Sequence, residues 1–145
     1  MSSSTVCVDA SFVVRLFMGP DDSRFWDILG GWYDQGVNIY APGLMSYEVA
    51  NAFYRYHRAG YLSQASAELA VDAALGLPIR LESDGALHRA AVRIAEAAGW
   101  PAIYDAHYLA LAERLNAELW TTDARLARDV GKQGPAVRLI ESEAY

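Results

Sequence analysis

The chain has 145 residues, enough for one domain with a substantial core and too few for two. It is 53% hydrophobic, carries a net charge of −6 and has no low-complexity tract, which excludes a disordered chain. The same charge excludes a protein that grips nucleic acid with its whole surface, but not an enzyme whose acidic site is neutralised by metal.

In chain order, Val6, Cys7 and Val8 form a short apolar run suited to a buried strand that stops at Asp9. "SFVVRLFM" reads as a helix ended by "GPDD". "SRFWDILGGWYDQG" carries Phe25, Ile28, Leu29 and Trp32 at helical spacing, with a weak point at Gly30-Gly31. "VNIYAP" is a strand stopped by Pro42. In "LMSYEVANAFYRYHRAG", Val49, Ala52, Phe53 and Tyr56 share one helical stripe that Gly60 closes. "SQASAELAVDAALG" is helical, with Ser63 as N-cap. "PIRLES" is a third strand, and two helices follow, "GALHRAAVRIAEAAG" and "YDAHYLALAERLN". "AELWTT" is a fourth strand, "ARLARDV" a short helix and "AVRLI" a fifth strand. Strands alternating with helices predict a parallel sheet covered on both faces, in a single α/β domain over residues 1–145.

Four carboxylates fall at related places. Asp9 follows the first strand and Asp123 the fourth, while Glu48 and Asp105 lie in the first turns of helices. Ligands of an open parallel sheet bind beyond the carboxyl ends of its strands, where these four acids can meet. Carboxylates gathered there repel one another unless a cation joins them. An all-oxygen cluster suits Mg²⁺ or Mn²⁺, which can activate water and stabilise charge on a phosphoryl group. Taken one at a time, each acid has a plainer use: Asp9 or Asp123 as an N-cap, Glu48 or Asp105 as a favourable charge in a first turn. His57, His88 and His107 are scattered, without zinc-like spacing.

"VCVDASFVVRLF", "PGLMSYEVANAF" and "YDAHYLALAERLNAELWTTDARLA" resemble the PIN-domain family, in particular the VapC toxins of toxin–antitoxin pairs. The resemblance runs over nearly the whole chain and departs at none of the four acids. It implies a three-layer α/β/α fold with a five-stranded parallel sheet, and Mg²⁺- or Mn²⁺-dependent endoribonuclease activity. Carried over, Asp9, Asp105 and Asp123 would be metal ligands, directly or through water. Glu48 would bind a second metal or orient the attacking water. Thr121 matches the family's hydroxyl two residues before the last Asp. Ser11 would do similar work or serve as an N-cap, the reading we favour. The implied products are a 5′-phosphate and a 3′-hydroxyl, from an attack that needs no ribose 2′-hydroxyl. A VapB-like antitoxin and a homodimer are the implied partners besides RNA.

Substrate positioning needs positive charge near an acidic pocket. Arg15, Arg125 and Arg128 are the candidates, each also readable as a solvated helix charge; Arg55 and Arg58 are weaker. Around the second strand the sequence is crowded with aromatics. Tyr54 and Tyr56 cannot face one core, and Trp26 and Trp32 are expected to diverge from Phe25. A leftover apolar surface suggests a partner, and in VapC relatives this region receives the antitoxin's C-terminal segment. Trp100 is expected to pack rather than stack on a base. Cys7, the single cysteine, is expected to be a small buried hydrophobe.

No apolar run approaches the ~18–20 residues that span a bilayer, and "MSSSTVCVD" lacks a basic region followed by an apolar one. With no disulfide possible within the chain, a cytoplasmic protein with no membrane partner is expected. A haloacid-dehalogenase phosphatase needs a second Asp where Ser11 stands. A receiver domain needs a lysine after strand five, and the only lysine is Lys132. The stronger alternatives are a catalytically silent PIN-like binding module and a housekeeping RNA-processing nuclease without antitoxin.

Overall fold

A computed structural model describes residues 4–19, 24–131 and 134–140. Lys132, Ser23 and "PDD" of the helix-ending "GPDD" lie outside them. The elements are β1 Thr5–Val8, α1 Ala10–Met18, α2 Arg24–Asp34, β2 Asn38–Pro42, α3 Leu44–Arg58 and α4 Gln64–Leu75. They continue as β3 Arg80–Glu82, α5 Gly85–Ala98, α6 Tyr104–Leu115, β4 Glu118–Thr121, α7 Ala124–Val130 and β5 Val137–Leu139. All five strands pair in parallel, in the order β3-β2-β1-β4-β5. This is the α/β architecture expected from the sequence, a five-stranded parallel sheet flanked by helices.

β1 is central, and consecutive side chains Cys7 and Val8 are both fully buried. Burial on both faces is what an all-parallel sheet requires of its middle strand. α6 packs on β1, β2 and β4, and its residues from Ala106 to Ala112 are all buried. A stretch buried all round belongs inside a fold, and its alanines let the sheet and α5 approach closely. It ends at Asn116, in the left-handed conformation (φ 49°) that asparagine tolerates well.

α2 runs unbroken through Gly30-Gly31, because Leu29 and Trp32 are anchored in the core on either side. Trp32 corrects an expectation. It does not diverge from Phe25: seven residues make nearly two full turns, so both rings share a face and meet Phe12. Their centroids lie 5.5 and 5.6 Å from that of Phe12. Trp26 does point away and is 42% exposed, its indole N–H donating to the Leu16 carbonyl. Tyr54 is exposed while Tyr56 packs on the core, and Trp100 packs there too.

Candidate acidic site at the carboxyl edge of the sheet

The register places the ends of β1 and β4 side by side. Val8 pairs with Trp120, and the Asp9 N–H donates to the Trp120 carbonyl at 3.3 Å. Asp9 then turns the chain into α1, with Oδ1 accepting from Phe12 N–H at 3.1 Å. Asp123 does the same for α7, with Oδ1 accepting from the Arg125 and Leu126 N–H groups. Each acid therefore performs the plain capping task, and each keeps Oδ2 for something else.

For Asp9 that something is Thr121. The Thr121 hydroxyl, fully buried, donates to Asp9 Oδ2 at 2.5 Å and accepts from Asp123 N–H at 2.9 Å. One hydroxyl thus ties the end of β1 to the start of α7. Ser11 donates to Asp9 Oδ1 at 2.6 Å and accepts from Thr122 N–H at 3.0 Å. Asp9, not Ser11, is the N-cap of α1, so the capping role expected for Ser11 is overturned; the serine braces the carboxylate instead. Despite these bonds, burial pushes the Asp9 carboxyl up to about 6, with the charge of Asp123 adding to the rise.

Asp105, in the first turn of α6, meets Asp123 through a cation. Arg125 Nη2 lies 3.0 Å from Asp105 Oδ2 and 3.4 Å from Asp123 Oδ2. Glu48 is the fifth residue of α3 and accepts a 2.5 Å hydrogen bond from the Tyr108 hydroxyl. Burial raises the Glu48 carboxyl, a rise that the Tyr108 bond opposes and the charge of Asp105 reinforces. Burial and the neighbouring Glu48 charge hold the Tyr108 hydroxyl far above its ordinary range, so it stays a donor. Tyr108 was not singled out in the sequence, although it stands one helical turn after Asp105. His107, set aside in the sequence as one of three scattered histidines, is buried and meets one of the others: His88 Nδ1 lies 2.8 Å from its Nε2.

The four acids thus interact electrostatically along one edge, but each already has its own partners. Among the described residues, no three carboxylate, histidine or cysteine side chains stand close enough to enclose one ion. Beside the acids lies a cleft of about 630 Å³, lined by Ser11, Arg15, Glu48, Asn51, Arg55 and Tyr56 among others. Arg15 stacks over the Phe25 ring at 5.1 Å, and its Nε and Nη2 have no hydrogen-bond partner among the described residues. Arg55, ranked low in the sequence, stands two turns from Glu48 and lines the same cleft. Arg128 is 73% exposed and pairs with Asp129 at 3.5 Å, a solvated helix charge.

Compared with known families, residues 6–132 match the PIN domain. The chain belongs to the PIN-domain family. PIN domains are generally nucleases that use divalent metal ions, so nucleic-acid hydrolysis is the coarse function. Two solved structures share the PIN fold with it. PAE2754 of Pyrobaculum aerophilum is 24% identical, with a TM-score of 0.65 over 94% of this chain and 90% of that one. VapBC2 of Rickettsia felis, bound to a DNA fragment from its promoter, is 12% identical, with a TM-score of 0.68 over 93% and 98%. Comparison with curated protein sequences yields no match. The PIN edge of this chain fits a hard cation chemically: its donors are all oxygen, and two of them already share a positive charge. Among the described residues no helix is long and apolar enough to cross a membrane.

Proposed function

We propose that this PIN domain is a metal-dependent endoribonuclease of the VapC toxin type, acting as one domain in the cytoplasm. The observation that carries the reading is the joined edge, in which one buried hydroxyl links Asp9 to Asp123 and one cation links Asp123 to Asp105. Asp9, Asp105 and Asp123 would hold Mg²⁺ or Mn²⁺, directly or through water, with Glu48 binding a second ion or orienting the attacking water. Such an ion, when bound, activates water and offsets charge on the phosphoryl and leaving oxygens.

The chain's own residues supply the rest. Thr121 and Ser11 hold the Asp9 carboxylate in one orientation, one hydroxyl on each oxygen. Tyr108 holds Glu48 by one oxygen, and the raised basicity of that carboxylate suits it to accept a proton from water. Arg15 and Arg55 give the adjoining cleft the positive charge that a phosphate backbone needs. A VapB-like antitoxin is the partner we assign to the exposed aromatics Trp26, Tyr33, Tyr54 and Tyr61, since a VapBC pair shares the fold. A homodimer belongs to the same reading.

The test is cleavage of a structured RNA pool by the purified chain with Mg²⁺ or Mn²⁺, beside EDTA and Asp9→Asn controls. Cleavage is expected to need the metal, to fall about a hundredfold or more in Asp9→Asn, and to leave 5′-phosphates and 3′-hydroxyls. Products ending in a 2′,3′-cyclic phosphate would reject the mechanism. Metal binding by a folded chain without cleavage would favour the binding-module alternative.

A further inference from the structure

We propose that Arg125 is a resident counter-cation of the acidic edge, which a divalent ion must displace before it can join Asp105 to Asp123. The proposal rests on the reading of those two acids as metal ligands.

The guanidinium is placed by sequence neighbours. Asp123 caps α7 with Oδ1, receiving the Arg125 and Leu126 N–H groups, and this leaves Oδ2 directed at the open edge. The Arg125 side chain folds back over that cap. Its Nη2 sits 3.0 Å from Asp105 Oδ2 and 3.4 Å from Asp123 Oδ2, a single nitrogen shared by both carboxylates. These are the oxygens a divalent ion needs, at about 2.0–2.1 Å for Mg²⁺. A guanidinium in hydrogen-bond contact with them occupies the same ground and repels the incoming charge. Ion and arginine therefore compete for one pair of oxygens.

The arginine is also built to leave. Its side chain is 57% exposed, so each of its ion pairs is screened by water and weakly held. Asp129, one helical turn further along α7, offers a second seat, already 3.7 Å from Nη1. A displaced Arg125 thus stays on the rim of the site, seated only on exposed Asp129 and within reach of an RNA phosphate when the metal is in place. Metal loading and backbone binding become linked through one side chain. Arg128 provides the contrast: it lies on the same helix and touches Asp129, with no ion pair to Asp105 or Asp123 among the described residues.

The experiment is a calorimetric Mn²⁺ titration of the whole chain without RNA. It compares the natural protein with Arg125→Gln, Arg128→Gln and Asp123→Asn, each first shown to be folded by circular dichroism. Arg125→Gln is expected to bind Mn²⁺ about fivefold more tightly, the scale of two exposed ion pairs no longer broken. Arg128→Gln should stay within about twofold of the natural chain, and Asp123→Asn, which keeps the capping oxygen, should lose binding. Unchanged or weaker binding in Arg125→Gln, with Asp123→Asn still deficient, overturns the proposal and leaves the metal site standing. Equal tightening in both arginine variants also overturns it, since net charge alone would then explain the gain. Mn²⁺ binding unaffected in Asp123→Asn overturns the site and the proposal together. A second readout uses the natural chain: the Arg125 Nε–H resonance should move as Mg²⁺ is added, with the midpoint of a parallel calorimetric Mg²⁺ titration, and a stationary signal overturns the displacement.

Discussion

Asp9 follows β1 and caps α1; Asp84 follows β3 and caps α5, accepting from Leu87 N–H at 2.7 Å. Both are aspartates at the carboxyl ends of parallel strands with the same local task. Their surroundings drive them apart. Asp84 is held by both Arg114 nitrogens, at 2.8 and 2.9 Å, and these bonds keep its carboxyl well below the usual carboxylate range. Asp9 has only hydroxyls and one backbone N–H, and burial pushes it up to about 6. The charge of Asp84 is answered by the chain itself. That of Asp9 meets only hydroxyls and a backbone N–H, which on the proposed reading leaves it for a metal ion to answer.

Neutralising Asp9 tests that contrast most severely. Its carboxyl titrates higher in the folded chain than the ordinary 3.8, so the fold favours the protonated form. The stability this confers is present below about pH 4 and is lost as pH rises through about 6. Without metal, Asp9→Asn should therefore match the natural chain at pH 4 and exceed it at pH 7.5, by on the order of 2–3 kcal/mol. Urea unfolding at the two pH values measures this, and a gain independent of pH would break the comparison.

Thr121→Val removes the hydroxyl shared by Asp9 and Asp123 while keeping the shape. At pH 7 it should destabilise the chain by about 1–3 kcal/mol, because Asp9 Oδ2 and the Asp123 N–H lose their partner. RNA cleavage should slow by about tenfold or more as the two acids lose their common brace. Cleavage at the natural rate would show that Thr121 serves packing alone. The smallest effect belongs to the other aspartate. Arg114→Gln should lower the melting temperature slightly at low salt, and the difference should shrink in 1 M NaCl, because the pair is solvent-exposed. A large fall in cleavage there would erase the distinction between the two edges.

Much of the architecture was legible because periodicity and punctuation agreed. The apolar run ending at Asp9, the Ser63 cap and the Gly60 close of α3 are local features, and the chain uses them locally. What escaped was whatever depends on two elements meeting. That Trp32 and Phe25 share a face and both meet Phe12 needed only the arithmetic of two helical turns, yet Gly30-Gly31 drew attention to a break that the core does not permit. Ser11 was expected to cap because serine does so; that Asp9 reaches the Phe12 N–H instead depends on how β1 enters α1. The four acids could be assigned to strand ends and first turns. Their partners could not, since Tyr108 reaches Glu48 across 60 positions and Arg125 reaches Asp105 across 20. Arg125 was expected to hold substrate, whereas its resting contacts are with the acids.

Cys7 lies at the centre of β1, two residues before Asp9, fully buried and with its thiol pushed up to about 12 by that burial. A thiol reagent reaches it only when the central strand separates from its neighbours. The one cysteine is thus a built-in clock for opening of the strand that leads into Asp9. Its labelling rate reports how firmly a bound ion or partner closes that strand, without any probe having to be introduced.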